Sequence, residues 1–453
     1  MNLKLGQHLR VILGQSVDNV DGKPKFQRWY ICWKAYIDGF KNACRKLVTV
    51  DGCHLKSKRG GQLLVAVGID PNNNIFPIAY GVVEVENKNS WEWFLSHLYE
   101  DLRDNGEDDD GQDDWTFMLD KQKGLIEAFM LDILPNVEHR FCVRHLHENF
   151  KRAGFKEKTY KDALWSAATS TTTQYFEDAM DRIKKLDPEA YAWFDDKDPS
   201  QWSRLHFKTA PMCDVLLNNM CEMFKSIILD ARDNTILTLM SMVKDLIMVR
   251  MQCNRDKAEQ WVGKLCPKIR KRLLDCVKAA SDCMPIKSDR THFQVFSRST
   301  TNQSVVDLEK RCCTCRKWQL TGIPCKHVCA SIRLNGDNIE HFVDECYTVN
   351  NYKKKTRKHN VRKSELVEDE PVHYEPVQDE LVHNTTQESR ANTPRQPLGP
   401  LTSGVSIRAP PPMFGFVYEI PFKPLTRVAM RPPTVFFTQG KKFANIVLEI
   451  RAF

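Results

Sequence analysis

The sequence predicts an α/β domain followed by helices, a small cysteine-rich module and a disordered tail. Three short apolar runs separated by turn residues lie within residues 47–85, which is typical of an antiparallel meander of strands. Apolar residues recur at steps of three and four from about residue 156 to 257, which indicates helices. Four potential metal ligands crowd into residues 313–327, which indicates a metal-binding module.

The strands and helices of the α/β domain can be placed one by one. The run LVTV ends at Asp51, and a later buried run, WTFML, ends at Asp120. Ser90 is expected to begin a helix, because apolar residues follow it at helical spacing. The predicted strands are, in order, residues 47–50, 63–69, 75–85, 115–119 and 137–142.

The composition predicts a folded protein without a membrane span. Hydrophobic residues make up 42% of the 453 residues, enough to bury a core. The longest strongly apolar run, residues 63–69, is far shorter than the roughly 20 residues that cross a bilayer. No secretion signal is recognisable at the N-terminus, so the 16 cysteines are expected to be mostly reduced. The net charge of +8 permits nucleic-acid binding without requiring it.

The cysteine-rich stretch predicts a structural zinc site. Cys313 and Cys315 form one ligand pair, and Cys325 and His327 form a second pair after a turn. Three thiolates and one imidazole complete a tetrahedral zinc site with no open position. Two alternatives concern neighbouring thiols, since Cys312 could replace Cys313, and Cys329 is expected to face the following helix. The pattern CxCx(n)CxH resembles the SWIM-type zinc finger, which implies contacts with DNA or protein.

Two aspartates predict a second metal site. Asp51 and Asp120 end strands that can lie side by side, and paired carboxylates bind Mg²⁺ or Mn²⁺ at sites of phosphodiester chemistry. The third carboxylate should come from a later helix, for which Glu222 is the candidate. If Glu222 points away from the two aspartates, the candidates for the third ligand are Glu84, Glu127 and Glu148. The competing interpretation is that each aspartate is a turn residue and that the glutamate is a solvated surface residue.

The amino-acid sequence around these acidic residues resembles the transposase domain of plant Mutator-like elements. The resemblance rests on GFKNACRKLVTVDGCHLK and its continuation, on LDKQKGLIEAF, on CVRH and on NNMCEMFKSIILDAR. It implies an RNase H-like fold with a helical insertion, and it matches Asp51, Asp120 and Glu222 to the catalytic carboxylates. It also matches Cys142 and His145 to a CxxH pair, for which metal binding, hydrogen bonding near the site and plain burial all stay open.

The resemblance implies domain limits and partners. The expected partners are DNA, both element ends and target, and self-association or other nuclear proteins are open alternatives. The expected domains are a helical or linker remnant at 1–38, a transposase domain at 39–260 with its insertion at about 156–217, a connecting segment at 261–300, the zinc finger at 301–335 and a mostly disordered tail at 336–453.

Catalysis and location lead to two further expectations. The main hypothesis is a metal-dependent enzyme that cleaves DNA and transfers strands. The alternatives are a domesticated or truncated derivative that binds DNA or protein without catalysis, favoured by the short segment before the match, and a degenerate fragment without a cellular role. The basic run KKKTRK at residues 353–358 predicts nuclear import, with a generic basic linker as the competing interpretation.

Overall fold

The computed structural model describes most of the chain before residue 355. The described residues are 2–5, 9–17, 24–57, 60–103, 115–120, 123–129, 137–298 and 303–354. The predicted disorder beyond residue 354 therefore lies outside the described residues, and so does most of the acidic stretch that spans residues 100–114. In the described part of the chain, no helix combines the length and the apolar character needed to cross a membrane.

The first structural unit is built on an eight-stranded mixed sheet. Its strand order is β1-β2-β3-β6-β5-β4-β7-β8. The strands are antiparallel except that β4 pairs with β7, and β7 with β8, in parallel. The strands are β1 (Asn2–Leu5), β2 (Leu9–Val17), β3 (Pro24–Trp33), β4 (Leu47–His54), β5 (Gln62–Ile69), β6 (Ile75–Val83), β7 (Thr116–Leu119) and β8 (Glu138–Phe141).

The predicted helical or linker remnant at residues 1–38 is wrong for most of its length. This segment forms three strands, and β3 pairs with β6 at the edge of the predicted meander. The reason is visible in β3, where Trp29 and Ile31 join the core on one face of the sheet while Tyr30 and Cys32 join the core on the other. A strand buried on both faces has little of the alternation by which strands are recognised in sequence.

Helices cover both faces of the sheet. On one face lie α1 (Lys34–Ala43), α2 (Lys88–Leu102) and α3 (Lys123–Phe129), with Phe40, Trp91 and Leu125 in a shared core. On the other lie α8 (Asn219–Ile227) and α9 (Ile236–Glu259), which contribute Phe224 and Val243 to a second core. Successive residues of β4 alternate between the two cores, so the central strand is buried on both sides.

Between the sheet and α8 the chain forms helices with a core of their own. They are α4 (Val143–Arg152), α5 (Lys158–Thr169), α6 (Thr173–Leu186) and α7 (Pro188–Ala192). Phe150, Leu164, Ile183 and Trp202 are buried in this core. The predicted insertion at about 156–217 covers α5 to α7, but residues 203–217 contain no helix or strand.

The predicted boundaries of the cysteine-rich module are too narrow. Its four-stranded sheet has the order β12-β11-β10-β9, and its core extends from Ala258 to Tyr352. The predicted connecting segment at 261–300 therefore supplies two of its strands, and residues 336–354 pack on it through the buried Tyr347 and Tyr352. Its elements are α10 (Pro267–Ala279), β9 (Cys283–Lys287), β10 (His292–Ser297), β11 (Gln303–Asp307), β12 (Cys312–Cys313), α11 (Lys317–Thr321), α12 (Lys326–Asn335) and α13 (Val349–Lys354).

Candidate active site and metal centre

The two predicted aspartates lie next to each other at the centre of the large sheet. Strands β4 and β7 run parallel, and Thr49 stands opposite Met118. Continuing this register by two residues brings Asp51 level with Asp120. Asp51 is almost fully buried at 8% exposure, because β5 covers one edge of its strand and α8 covers its face. The predicted side-by-side arrangement of the two strands is confirmed.

Burial and like charge act together on Asp51. Desolvation is the larger cause and the charge of Asp120 the second, and together they raise the pKa of Asp51 to about 7. Lys225, on the inward face of α8, forms an ion pair with Asp51 and opposes this shift. Sequence analysis missed Lys225, since a lysine in an amphipathic helix is ordinarily a surface residue.

Asp120 is held by a histidine and an amide. His145 Nδ1 lies 2.9 Å from Asp120 Oδ1, an ion-pair contact rather than a well-aligned hydrogen bond. Asn218 Nδ2 donates to the same oxygen at 3.2 Å and to the Val50 carbonyl at 3.1 Å. Asn218 stands at the N-cap of α8, but its side chain makes no capping hydrogen bond, because it joins the helix to the sheet.

The CxxH pair faces the same place. Cys142 precedes α4 and His145 lies on its first turn, so that one ligand atom from each, together with one from Asp120, lies within 4.8 Å of the others. The pKa of His145 is raised to about 10, chiefly by its side-chain contact with Asp120 and secondly by its contact with Cys142. A protonated imidazole at neutral pH is a counter-ion for Asp120, and a metal ligand only after it loses that proton.

Glu222 has a different environment. Both of its carboxylate oxygens accept hydrogen bonds from Arg144, at 2.6 and 2.7 Å, and its side chain is 44% exposed. Among the described residues, no contact joins it to Asp51 or Asp120, although Asn218 and Lys225, on the same helix, reach them. Its assignment as the third ligand stays a prediction. Of the alternatives, Glu84 binds Arg28 and Glu148 binds Lys151, while Glu127 lies on α3.

The four predicted zinc ligands converge in the cysteine-rich module, between the end of β12 and the start of α12. Cys315 Sγ lies 3.4 Å from Cys313 Sγ and 3.4 Å from Cys325 Sγ. His327 Nδ1 lies 3.7 Å from Cys313 Sγ and 3.9 Å from Cys325 Sγ. Sulfurs bound tetrahedrally to one zinc ion are about 3.8 Å apart, whereas a disulfide requires about 2.05 Å. The spacing is therefore that of a metal site.

The local backbone explains how two ligand pairs meet. Arg316 adopts φ 60° after the first pair, and Gly322 adopts φ 65° at the end of α11. A Cβ at Gly322 would lie 2.7 Å from that of Asp344, so this turn needs glycine for both its dihedral angle and its space. Cys312 is not part of the cluster, and Cys329 is buried on α12 with its Sγ 3.6 Å from the Pro324 carbonyl.

The close spacing of the three cysteine sulfurs is suited to binding a cation. Hydrogen bonding with the Cys313 and Cys325 thiols lowers the pKa of Cys315. Hydrogen bonding with Cys315 raises the pKa of Cys313, and hydrogen bonding with Cys313 and then Cys315 raises the pKa of Cys325. Three thiolates at this spacing require a positive ion between them, which is what zinc supplies.

Comparisons with known proteins agree with the two sites. Residues 47–149 match the MULE transposase domain, and residues 302–334 match the SWIM zinc finger. No curated protein matches the chain. The first match contains Asp51, Asp120 and the CxxH pair, and the second contains the four zinc ligands, whereas Glu222 lies outside both. The first match supports a transposase-related function, and the second supports structural zinc.

Proposed function

We propose that this protein is a DNA transposase of the DDE type, in which an RNase H-like domain cleaves DNA and transfers its strands. The observation that carries the proposal is the pair Asp51 and Asp120, adjacent on parallel central strands and largely removed from water. The match to a transposase domain over 47–149 supports it. The mixed sheet with helices on both faces is compatible with the proposed fold.

The donors in this site fit Mg²⁺ or Mn²⁺. Two carboxylates on neighbouring strands offer the oxygen ligands that these ions prefer, and burial together with the charge of Asp120 raises the pKa of Asp51. When bound, such ions activate a hydroxyl nucleophile and stabilise the leaving oxygen at a phosphodiester. The chain would hold them through Asp51 and Asp120, while Asn218 and His145 fix the orientation of the Asp120 carboxylate.

We propose that DNA is the partner of both the eight-stranded sheet domain and the cysteine-rich module. The net charge of +8 favours contacts with phosphates, which supply the sequence-independent part of DNA affinity. The zinc ion would keep the second sheet folded so that its surface can contact element ends or target DNA. Binding should therefore weaken as salt concentration rises, and should not depend on Asp51.

Cleavage assays separate this proposal from its alternatives. Full-length protein is incubated with supercoiled plasmid and with short duplexes in Mn²⁺ or Mg²⁺, and nicking is followed on gels. We expect nicking by the wild type and none by Asp51→Asn or Asp120→Asn. The control is Asp38→Asn, which removes an ion pair with Lys34 on α1 and should leave nicking unchanged. DNA affinity, measured by fluorescence anisotropy, should be equal in all four. Nicking by Asp51→Asn would contradict the proposal.

A second candidate is a transposase-derived DNA- or protein-binding regulator without catalysis. Its specific support is that Lys225 and Arg144 pair with Asp51 and Glu222, so protein cations already compensate two of the three predicted carboxylates. In that case wild-type protein would bind DNA, and no substrate would be nicked at any divalent-ion concentration. The same assay therefore decides between the two candidates.

We also propose a nuclear location, which DNA as the partner requires in a eukaryotic cell. The basic run at 353–358 supports it, and its first two lysines end α13. Neutralising Lys355, Arg357 and Lys358 leaves the Lys353–Glu259 ion pair intact. A fluorescent fusion with these changes should leave the nucleus, and an unchanged nuclear signal would contradict the role of this run.

A further inference from the structure

A groove lies between the helices α5 and α6 and the cysteine-rich module. Its volume is about 1050 Å³, and it is lined by the end of α5, the start of α6, one face of α10 and the zinc-ligand loops. Cys315, Cys325 and His327 contribute to its wall, so the zinc site borders the groove. Asp51 and Asp120 are not among the described residues that line it. The groove is therefore a surface separate from the carboxylate site.

Contacts between the helices and the cysteine-rich module fix the shape of the groove. Leu320 of α11 is buried in the core of the helices α4 to α7. Arg316, the residue after Cys315, donates hydrogen bonds to the carbonyls of Arg204 and Phe207, at 2.7 and 2.5 Å. Because the two sides are joined in this way, a ligand can bind to a preformed surface and loses little free energy to reorganisation.

The groove carries an excess of positive charge. Asp214, one of its two aspartates, is shared by Arg204 and Arg272, each at 3.3 Å. Three thiolates around Zn²⁺ leave one further negative charge. In the described part of the chain, the exposed Arg182 and Lys317 have no acidic partner, so they can bind an anion from solution. The five lysines and arginines that line the groove are Arg182, Arg204, Arg272, Lys317 and Lys326.

Hydroxyl groups supply most of the other polar side chains of the groove. Nine serines and threonines line it, five of them between Ser166 and Thr172. Thr172 stands at the N-cap of α6, but its side chain makes no capping hydrogen bond. DNA phosphates are bound by lysine, arginine, serine and threonine side chains, and by helix N-termini. The lining therefore has the chemistry that recognises a phosphate backbone.

We propose that this groove binds the sugar–phosphate backbone of DNA, with Arg182 of α6 and Lys317 of the cysteine-rich module contacting phosphates from its two sides. This inference rests on the proposed function, since DNA is the partner proposed there, and it adds the surface that holds the DNA. Contacts to phosphates carry no sequence information, so the groove positions DNA without reading its bases. Asp275, the second aspartate of the groove, is exposed and opposes this binding.

The salt dependence of DNA affinity tests the inference. Full-length protein with its zinc is bound to two duplexes of unrelated sequence, and affinity is measured by fluorescence anisotropy between about 50 and 200 mM salt. The groove variant combines Arg182→Gln with Lys317→Gln. The matched control combines Lys185→Gln on α6 with Lys310→Gln in the cysteine-rich module, and it removes the same charge outside the groove.

The expected result is a change of slope in the groove variant. Each phosphate contact contributes about 0.9 to the slope of log affinity against log salt concentration on duplex DNA. The groove variant should therefore lose about 2 from the slope, equally on both duplexes. The control should keep the wild-type slope. Asp275→Asn keeps every cation and removes a repulsion, so it should bind both duplexes more tightly than the wild type.

The outcomes separate this inference from the proposed function. If the wild type binds neither duplex at low salt, DNA is not the partner, and the proposed function fails with it. If the wild type binds and the groove variant keeps its slope, or loses no more than the control, the groove alone is overturned. Should the groove variant not fold or not retain its zinc, Asp275→Asn decides, and unchanged or weaker DNA binding by Asp275→Asn would overturn the proposal.

Discussion

The zinc cluster and the carboxylate pair are assembled in opposite ways. The zinc ligands come from one stretch, and Cys313 and His327 are separated by 14 positions. The Asp51–Asp120 pair is fixed by contacts across the chain, since Asn218 bonds to Val50 and Asp120 over 168 and 98 positions. A site whose ligands are close in sequence can be identified from their spacing. A site whose residues come from distant segments can be identified only when the order of the strands in the sheet is known.

The two sites also differ in which groups balance the negative charge of their ligands when no metal is bound. The three cysteine sulfurs lie close together, so three thiolates there require a cation between them. The carboxylates instead have protein cations, Lys225 at Asp51 and His145 at Asp120. We therefore expect the second sheet to depend on its metal for folding, and the first sheet to remain folded without one.

The largest expected effect is at the zinc site. Cys315 is the central thiolate, in contact with both other sulfurs, so Cys315→Ser should release the zinc. Structural zinc contributes about 10–16 kcal/mol of apparent binding free energy in zinc-finger peptides, which is comparable to the about 5–15 kcal/mol that stabilises a typical domain. Hydrogen exchange should become fast throughout β9 to β12, while β4 and β5 stay protected.

The neighbouring Cys312 provides the matched control for that experiment. It lies outside the cluster, so Cys312→Ser should keep the full zinc content measured by metal analysis. Loss of zinc in Cys312→Ser, or retention in Cys315→Ser, would contradict the assigned ligand set.

A smaller effect is expected where α8 meets the sheet. Asn218→Ala removes one buried and one partly buried hydrogen bond, and it leaves the Val50 carbonyl without this donor. The free energy of unfolding of the first sheet should fall by about 1–3 kcal/mol. Asn219→Ala is the control, because its side chain meets Arg144 at an exposed position. Equal stability of the two variants in urea titrations would mean that this long-range link is unimportant.

The smallest effect concerns an exposed charge cluster near the zinc site. Asp289 raises the pKa of His292 above 6.5 through a 2.9 Å ion pair, and Asp307 lies 3.2 Å from its other nitrogen. A raised histidine pKa contributes stability that is complete below about 6.5 and is lost as the pH rises through the folded-state pKa. NMR titration of the His292 ring should give a midpoint above 6.5 that falls in Asp289→Asn. A midpoint unaffected by that change would contradict the pairing.

Sequence analysis could predict the parts of the molecule that depend on local pattern. The meander of β4 to β6, the strands before Asp120 and Cys142, and the zinc ligands follow from apolar runs and ligand spacing. The strand β3 was not predicted, because burial on both faces removes its alternation. Lys225 was missed for a different reason. Its role depends on Asp51, which lies far away in the chain, and nothing in its own segment indicates that neighbour.

The most direct test of the two metal sites is anomalous diffraction from one crystal soaked in Mn²⁺, measured at the zinc and manganese edges. The account predicts a zinc peak among Cys313, Cys315, Cys325 and His327, and a separate manganese peak between the carboxylates of Asp51 and Asp120. A zinc peak without manganese at saturating Mn²⁺, with Lys225 still bound to Asp51, would contradict the proposed catalytic site.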